Sequence, residues 1–493
     1  MASFDILKQI QQNKLLVFVV IGYILIQLIF FPQMYLSTDE HNYLKNSVLL
    51  SEGKITIGDS AYASRASIYT PQGYVASHFI GRSLFMIPFI FFGLTGVMLS
   101  GLVIHLLNFI LVSLLLRKFK ISDFYSLLYL FFPAFIWSSR TLYGELLVLT
   151  GLLAGFYFFI SSKQKQWVFS GLFFSLAVLT RYDAILAFGA FVLPSLFNNR
   201  KKAISLILGA FPVGVGIMLF NTFVYGGLAS TGYGSGTGFI ASLLGHLFEI
   251  DYLIYGIILL ILYPLLLISP FLNKKFSYKK EFALFIIFYF LLNARFTEFL
   301  AFDFSIESAL VMRLRYLIPL IGLLIIPYCI FADSLIQKIK FKIPKIMVPI
   351  LILILLVGSA FMSVKHSDLI NIRSTALDTI QEVIPENSTV IGSSDDSIYF
   401  QKNIFGDRKY YNVNLEQGLA GNPENISLSQ IKTNTTYVME LHYGNRVDRN
   451  SSRQDLIESE RMQIVEFIEQ NTSELELIYE SFEPNTLRIY KWN

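Results

Sequence analysis

Cysteine is all but missing. Cys329 is the only one in 493 residues and lies inside an apolar segment, which excludes an intrachain disulfide and a cysteine-built metal cluster. Charge is scarce too: Asp, Glu, Lys and Arg make up 15% of the chain, against about a quarter in ordinary soluble domains. Tryptophan is confined to Trp137, Trp167 and Trp492, and no repeat or low-complexity tract stands out. What is abundant is apolar: 54% hydrophobic residues, 46 Phe and 27 Tyr, with a mean hydropathy of +0.56. That composition reads as a polytopic α-helical membrane protein, multi-pass in the cell membrane with the lipid bilayer as its first partner. The net charge of +4 is spread over short loops rather than one basic face, so nucleic acid is not expected as a partner.

Apolar segments fall near 15–35, 97–116, 122–138, 142–160, 167–180, 184–198, 203–224, 252–272, 281–296, 314–332 and 346–363, which predicts about 11 transmembrane helices. Several, 167–180 among them, are shorter than the ~20 residues a perpendicular helix needs, so polar neighbours are drawn toward the membrane or the helices break there. The first, "LLVFVVIGYILIQLIFFPQMYL", exceeds a signal-peptide core and is followed by no small-residue cleavage site; it reads as a retained signal anchor.

Basic residues orient the spans. Lys8 and Lys14, the 117–120 group, Lys163 and Lys165, the 200–202 group, the 274–280 group and the 338–345 group occupy every second connection, which makes those loops and the N-terminus cytoplasmic. Connections 36–96, 139–141, 181–183, 225–251 and 297–313 then lie outside. Within the first, "SHFIGRSLFMIPFIFFGL" (77–94) is interrupted by Gly81, Arg82 and Pro88 and suits an interfacial or re-entrant helix, because counting it as a span would invert the later charge bias.

After residue 363 the apolar runs shrink to strand length ("STVIG", "TTYVMEL", "LELIYESF", "LRIYKW"), with helical patterns near 367–384 and 454–470. The division expected is a transmembrane domain over 1–363 and a soluble extracytoplasmic α/β domain over 364–493. The acceptor triplets at Asn387, Asn425, Asn434, Asn450 and Asn471 all lie in the second region, which agrees with an outer location or reflects its Asn- and Ser-rich composition.

The unusual polar residues gather on the outer side. Asp39 and Glu40 follow the first span; Glu145 lies about one turn inside the fourth, where an unpaired carboxylate costs ~2.5–3.5 kcal/mol. Arg181 and Asp183 sit at a tight turn, and Arg313 and Arg315 begin the tenth span. Guanidinium groups bind phosphate oxygens bidentately and stay charged, and a carboxylate beside them can act as general base toward a hydroxyl. Each element also has a plainer reading. "STDEHN" has the form of a helix cap, Glu145 can pair structurally with Arg140 or Arg181, and Arg313 and Arg315 can reach to the interface as snorkelling side chains. "GGLASTGYGSGTG" (226–238) is either a flexible linker or a glycine loop approaching a ligand. His41, His78 and His246 lie on the outer side at spacings that fit no metal, so no metal ligands are assigned.

The order "STDEHNYL", "YTPQGYVASHF", "YGELL", "LTRYDAIL", "FNTFVYGGLASTGYG" and "RLRYLIPLIGLL", followed by an outer C-terminal region, resembles membrane glycosyltransferases of the GT-C class over most of 1–335. The resemblance is to the branch holding protein mannosyltransferases and the aminoarabinose transferase of lipid A. It implies transfer of a sugar from a polyprenyl-phosphate (dolichyl-phosphate-like) donor to a glycan, lipid or protein acceptor outside the membrane, with inversion and with no cofactor or metal. It makes Asp39 the candidate base with Glu40 beside it, and Arg313, Arg315 and Tyr316 the contacts of the donor phosphate; their place on the same face adds Glu145 to the catalytic set and Arg181 to the phosphate contacts. Arg65, Tyr69 and Asp183 are assigned to substrate contact. The chain departs from the class in lacking the tryptophan-rich signature of oligosaccharyltransferases, and its 225–251 loop is too short for a β-trefoil, so the protein acceptor is not carried over. The competing classes are a transporter or flippase for a lipid-linked or anionic substrate, which calls for charges at mid-membrane and inverted repeats, and a scaffold, which leaves Glu145 without a purpose.

Overall fold

The computed structural model describes residues 2–35, 37–57, 67–70, 72–232, 234–235, 265–274, 276–294, 314–339, 347–392, 408–412, 431–442, 462–482 and 486–493. Arg65, Arg313 and His246, and most of the expected span 252–272, lie outside them.

Helix α1 (Ala2–Ile29) leads through a short turn into α2 (Thr38–Ser51), and a hairpin of β1 (Ser67–Thr70) and β2 (Gly73–Ala76) precedes α3 (Ile80–Ile90). Then come α4 (Gly93–Lys118), the short α5 (Leu127–Leu130) and α6 (Pro133–Ser138), and α7 (Glu145–Phe159), α8 (Gln164–Thr180), α9 (Ala184–Asn198) and α10 (Arg200–Tyr225). A two-residue hairpin, β3 (Ser230–Thr231) with β4 (Gly234–Ser235), is followed by α11 (Ser269–Leu272), α12 (Lys279–Ala294), α13 (Ile318–Ile339) and α14 (Met347–Val383).

Among the described residues four helices are long and apolar enough to cross a membrane, at 93–118, 200–225, 314–338 and 347–368; apolar helices at 14–29, 80–90, 145–159 and 184–198 are shorter. The expected span over 122–138 is not one helix. A 3-10 turn (Asp123–Ser126), α5 and α6 replace it, because Pro133 has no N–H to give and holds Phe132 in an extended conformation. The stretch read as interfacial contains α3, a separate helix of 11 residues ahead of α4.

Helices α10 and α14 turn Phe211, Leu219, Phe223, Leu353, Ile354 and Phe361 outward, the arrangement expected where lipid is the solvent. Lipid tails are as apolar as the side chains, so packing shape rather than water exclusion holds the bundle interior. That interior is rich in rings: Phe156, Phe159, Phe174, Phe191, Phe282 and Phe285 are wholly buried and meet edge-on or stacked.

The C-terminal region carries a five-stranded mixed sheet of β5 (Thr389–Gly392), β6 (Lys409–Asn412), β7 (Thr436–His442), β8 (Leu475–Ser481) and β9 (Thr486–Trp492), in the order β6-β5-β7-β9-β8. β5 runs parallel to β6 and β7, whereas β9 is antiparallel to both β7 and β8. Helix α14 passes without a break through the compositional change at 363, and a second helix covers 462–470. One apolar cluster then joins the sheet to one end of the bundle: Ile370, Leu377 and Ile380 of α14, Val390, Met439 and Ile489 of the sheet, and Tyr35, Tyr43, Leu44 and Leu142.

Two close approaches shape that end of the bundle. A Cβ on Gly81 would stand 2.6 Å from the Thr180 backbone, so α3 can rest on the end of α8 only with glycine there. A Cβ on Gly232 would stand 2.1 Å from the Ser77 carbonyl oxygen, and Tyr225 donates to the Ala76 carbonyl at 3.2 Å. The described part of the glycine-rich stretch therefore packs against the β2–α3 connection.

Candidate active site

Helix α2 begins with a reciprocal cap. Ser37 Oγ accepts from the Glu40 N–H at 3.3 Å and donates to Glu40 Oε2 at 3.1 Å; the sequence is that of a Ser-x-x-Glu capping box, with the serine hydroxyl rather than its backbone N–H serving the glutamate. Glu40 Oε1 accepts from the Leu142 N–H at 2.8 Å. Successive helical side chains diverge by about 100°, so the neighbour of a buried cap faces elsewhere. Asp39 places Oδ1 3.2 Å from His78 Nε2 and Oδ2 3.6 Å from Arg315 Nη2.

From Arg315 the charges continue inward. Its Nε lies 3.4 Å from Glu145 Oε1, an ion-pair separation, and its Nη2 donates to Tyr316 Oη at 2.5 Å. The guanidinium stacks between two rings, 4.0 Å from the centroid of Tyr143 and 4.5 Å from that of Tyr316, where the ring faces attract cations. Glu145 is the first residue of α7, so its carboxylate sits at the positive end of that helix. Arg181, extended where α8 ends, donates Nη1–H to the same Glu145 Oε1 at 2.9 Å and Nε–H to Asp183 Oδ1 at 3.1 Å. Four separate parts of the chain thus supply one connected row: α2, the α7 start, the 181–183 turn and the 3-10 turn Leu314–Leu317.

Exposure separates the acids. The Asp39 side chain is 42% accessible, whereas Glu145 is 3% and Asp183 7%, and Glu40 is fully buried. Only Asp39 of these four can meet a molecule arriving from outside. Deeper in, Glu145 Oε2, Asp183 Oδ2 and Arg315 Nε are buried with no hydrogen-bond partner among the described residues. Unsatisfied buried polar atoms are rare and usually costly, and here they sit together around one guanidinium.

Of the residues expected from the sequence, the structure brings together Asp39, Glu145, Arg181, Asp183, Arg315 and Tyr316. Glu40 adjoins the row through the Leu142 amide. Tyr69 lies on the β1–β2 hairpin, half exposed, with its ring against Tyr74. Two members were not foreseen. His78 was visible only as one of several outer histidines, and Tyr143 as the aromatic two residues before Glu145. Farther along α2, His41 Nδ1 pairs with Tyr35 Oη at 2.7 Å; burial, reinforced by the charge of Lys45, holds that imidazole well below its usual pKa. Burial alone pushes the Lys45 ammonium down to about 7.

No family model matches the chain, and no curated protein does. Among solved structures, the chain is similar to ArnT from Cupriavidus metallidurans bound to undecaprenyl phosphate, with 10% identity, a TM-score of 0.56, and coverage of 97% of this chain and 98% of that one. The apo state of ArnT from the same organism gives 11% identity, the same TM-score of 0.56 and the same coverage. At these identities the likeness shows the fold alone: a helical architecture shared with ArnT over nearly the whole chain.

Proposed function

We propose that this chain is a glycosyltransferase that moves a sugar from a polyprenyl-phosphate carrier to a hydroxyl or lipid-linked acceptor at the outer face of the membrane. The observation that carries the reading is the meeting of Asp39, the one accessible carboxylate of the row, with Arg315, which among the described residues is also flanked by Glu145 and by the rings of Tyr143 and Tyr316. A carrier lipid stays in the bilayer with its phosphate at the interface, which is where α2 begins.

The chemistry follows from those two groups. Asp39 accepts the acceptor hydroxyl's proton while that oxygen attacks the anomeric carbon on the face opposite the phosphate. The bond from carbon to phosphate oxygen breaks with its electron pair, and the carrier leaves as a lipid phosphate with one more negative charge, balanced by Arg315. Such a base contributes roughly 10²–10⁴-fold, and the preset guanidinium adds charge stabilisation without reorganisation. The leaving phosphate is weakly basic, so the reading needs no metal. Glu145 and Asp183 hold the two arginines rather than touching the acceptor, and Glu40 holds α2 against the Leu142 amide. Two further points belong to the same reading: residues 364–493 form an extracytoplasmic domain, and the N-terminus is cytoplasmic. The solved relative bound to undecaprenyl phosphate supports the choice of carrier.

The test uses purified protein in proteoliposomes with a panel of polyprenyl-phosphate sugars labelled in the sugar. The expected result is free polyprenyl phosphate released in step with label entering a water-soluble or lipid acceptor. Label crossing the bilayer with its phosphate bond intact would make the chain a transporter instead.

A further inference from the structure

The connection between α6 and α7 serves the row of charges at three points: the Leu142 amide on Glu40, the Tyr143 ring on Arg315, and Glu145 directly after. Its other side is held by Arg140, which is 2% exposed. Arg140 Nη1 donates to Gln27 Oε1 at 3.1 Å, and Nη2 donates to Ser367 Oγ at 2.9 Å and to the Phe30 carbonyl oxygen. Ser367 donates in turn to the Phe30 carbonyl at 3.0 Å. Gln27 is fixed by donating to Ser359 at 3.1 Å and Ser363 at 3.0 Å, so the end of α1, the α6–α7 connection and one face of α14 share a single guanidinium.

Among the described residues no carboxylate pairs with Arg140, and its Nε has no hydrogen-bond partner. A buried cation without a counter-charge is expensive, so packing alone is a poor reason for an arginine here. A planar fork that reaches three acceptors, two at the end of α1 and one on α14, does what neither lysine nor an apolar residue can. Beyond Ser367, α14 continues to Val383, and its Ile370, Leu377 and Ile380 share an apolar cluster with Val390, Met439 and Ile489 of the sheet.

We infer that Arg140 is a positioning residue through which α14, and the C-terminal sheet packed on it, set the placement of Tyr143 and Glu145 around Arg315. This rests on the reading of Arg315 as the group that receives the carrier phosphate. A rigid clamp holds the aromatic and acidic walls of that guanidinium in place; a loosened one lets them drift, and phosphate affinity falls with no contact to the phosphate itself removed. The converse also holds, so carrier binding at Arg315 is felt at the clamp.

The geometry supplies its own reporter. Trp137 of α6 meets the His366 ring edge-on, with centroids 4.4 Å apart, three residues from Arg140 and one from Ser367. The full chain carrying Trp167→Phe and Trp492→Phe leaves Trp137 as the sole tryptophan. Undecaprenyl phosphate is the probe, with binding measured separately by retention of radiolabelled lipid. The expected result is a change in Trp137 emission on adding the probe, lost in Arg140→Gln, whose affinity for the probe drops about tenfold. Arg140→Lys should not restore it, because an ammonium cannot span the three acceptors. Ser367→Ala, the milder change, should weaken binding about threefold and add nothing further in the Arg140→Gln background. Unchanged probe affinity in both Arg140→Gln and Ser367→Ala, with silent Trp137 emission, overturns the inference while leaving the proposed function standing. Failure of the unsubstituted chain to bind the probe at all overturns both.

Discussion

Two pairs of arginines lie in and around the α6–α7 connection, one pair wholly buried and one largely so, and they are satisfied in opposite ways. Arg181 and Arg315 face carboxylates: Glu145, Asp183 and Asp39. Arg82 and Arg140 face neutral acceptors, Arg82 giving its Nε–H to the Leu142 carbonyl at 3.0 Å and its Nη2–H to Ser100 Oγ at 2.9 Å. Carbonyls and hydroxyls take a guanidinium's directional donors without themselves supplying a counter-charge; they fix position. Acids balance the charge through a row of partners that an incoming anion can enter. The first pair is therefore equipped to exchange a partner, and the second is a frame around it.

The sharpest break in that contrast is Asp39→Asn. It should cut transfer by roughly 10²–10⁴-fold in a labelled-sugar assay while leaving the melting temperature close to that of the unsubstituted chain, since this side chain is half open to water. Near-normal turnover would return Asp39 to a helix-start residue. Next comes Glu145→Ala, which leaves Arg181 and Arg315 short of their shared counter-charge. Loss of one partner of a buried pair costs about 3–5 kcal/mol, so a large drop in thermal unfolding temperature is expected, with Glu145→Gln milder because it still accepts hydrogen bonds. Arg315→Ala should chiefly weaken donor binding, by about 10- to 100-fold in equilibrium retention of undecaprenyl phosphate, in line with the loss of a charge-assisted contact. Donor affinity that does not move would place the phosphate elsewhere.

The last prediction reads stability rather than transfer and concerns another buried cation. Lys45 has its folded pKa lowered to about 7 from 10.5, so between those values the unfolded chain binds the extra proton and the folded chain does not. Stability should then rise as pH climbs from about 7 toward 10, and below about 7 the penalty should level off. Lys45→Met should flatten that slope in unfolding curves taken across the same range; an unaltered slope would assign it to other groups.

Much of the site was legible because charge is rare in this chain and a lone acid in an apolar run announces itself. Asp39 and Glu40 posed a choice between helix cap and active site, and the structure divides the pair: Glu40 joins the N-cap Ser37 in the capping contact, and Asp39 is the accessible acid. Adjacent helical positions face different directions, so the two readings were never rivals. The frame was illegible for a different reason. Arg140 closes on residues 27, 30 and 367, and Arg82 on 100 and 142, separations that leave no local pattern. Strand β6, "KYYN", escaped notice because four residues carry too little alternation, and only pairing with β5 makes them a strand. The break at Pro133 was written in the sequence, yet hydropathy averaged over a window runs straight across it.

Helix α14 is a single rod of 37 residues, about 55 Å long at 1.5 Å per residue, with polar clamps at 359–367 and the sheet beyond. Such a rod has a phase as well as a length. One residue added or lost between Ser367 and Leu377 would turn the sheet by about 100° around the helix axis, whereas seven would return it within about 20° of where it began. A length change in this stretch therefore alters the sheet's angle as well as its distance from Tyr35, Tyr43 and Leu142, a constraint on the rod as a whole that no individual side chain imposes.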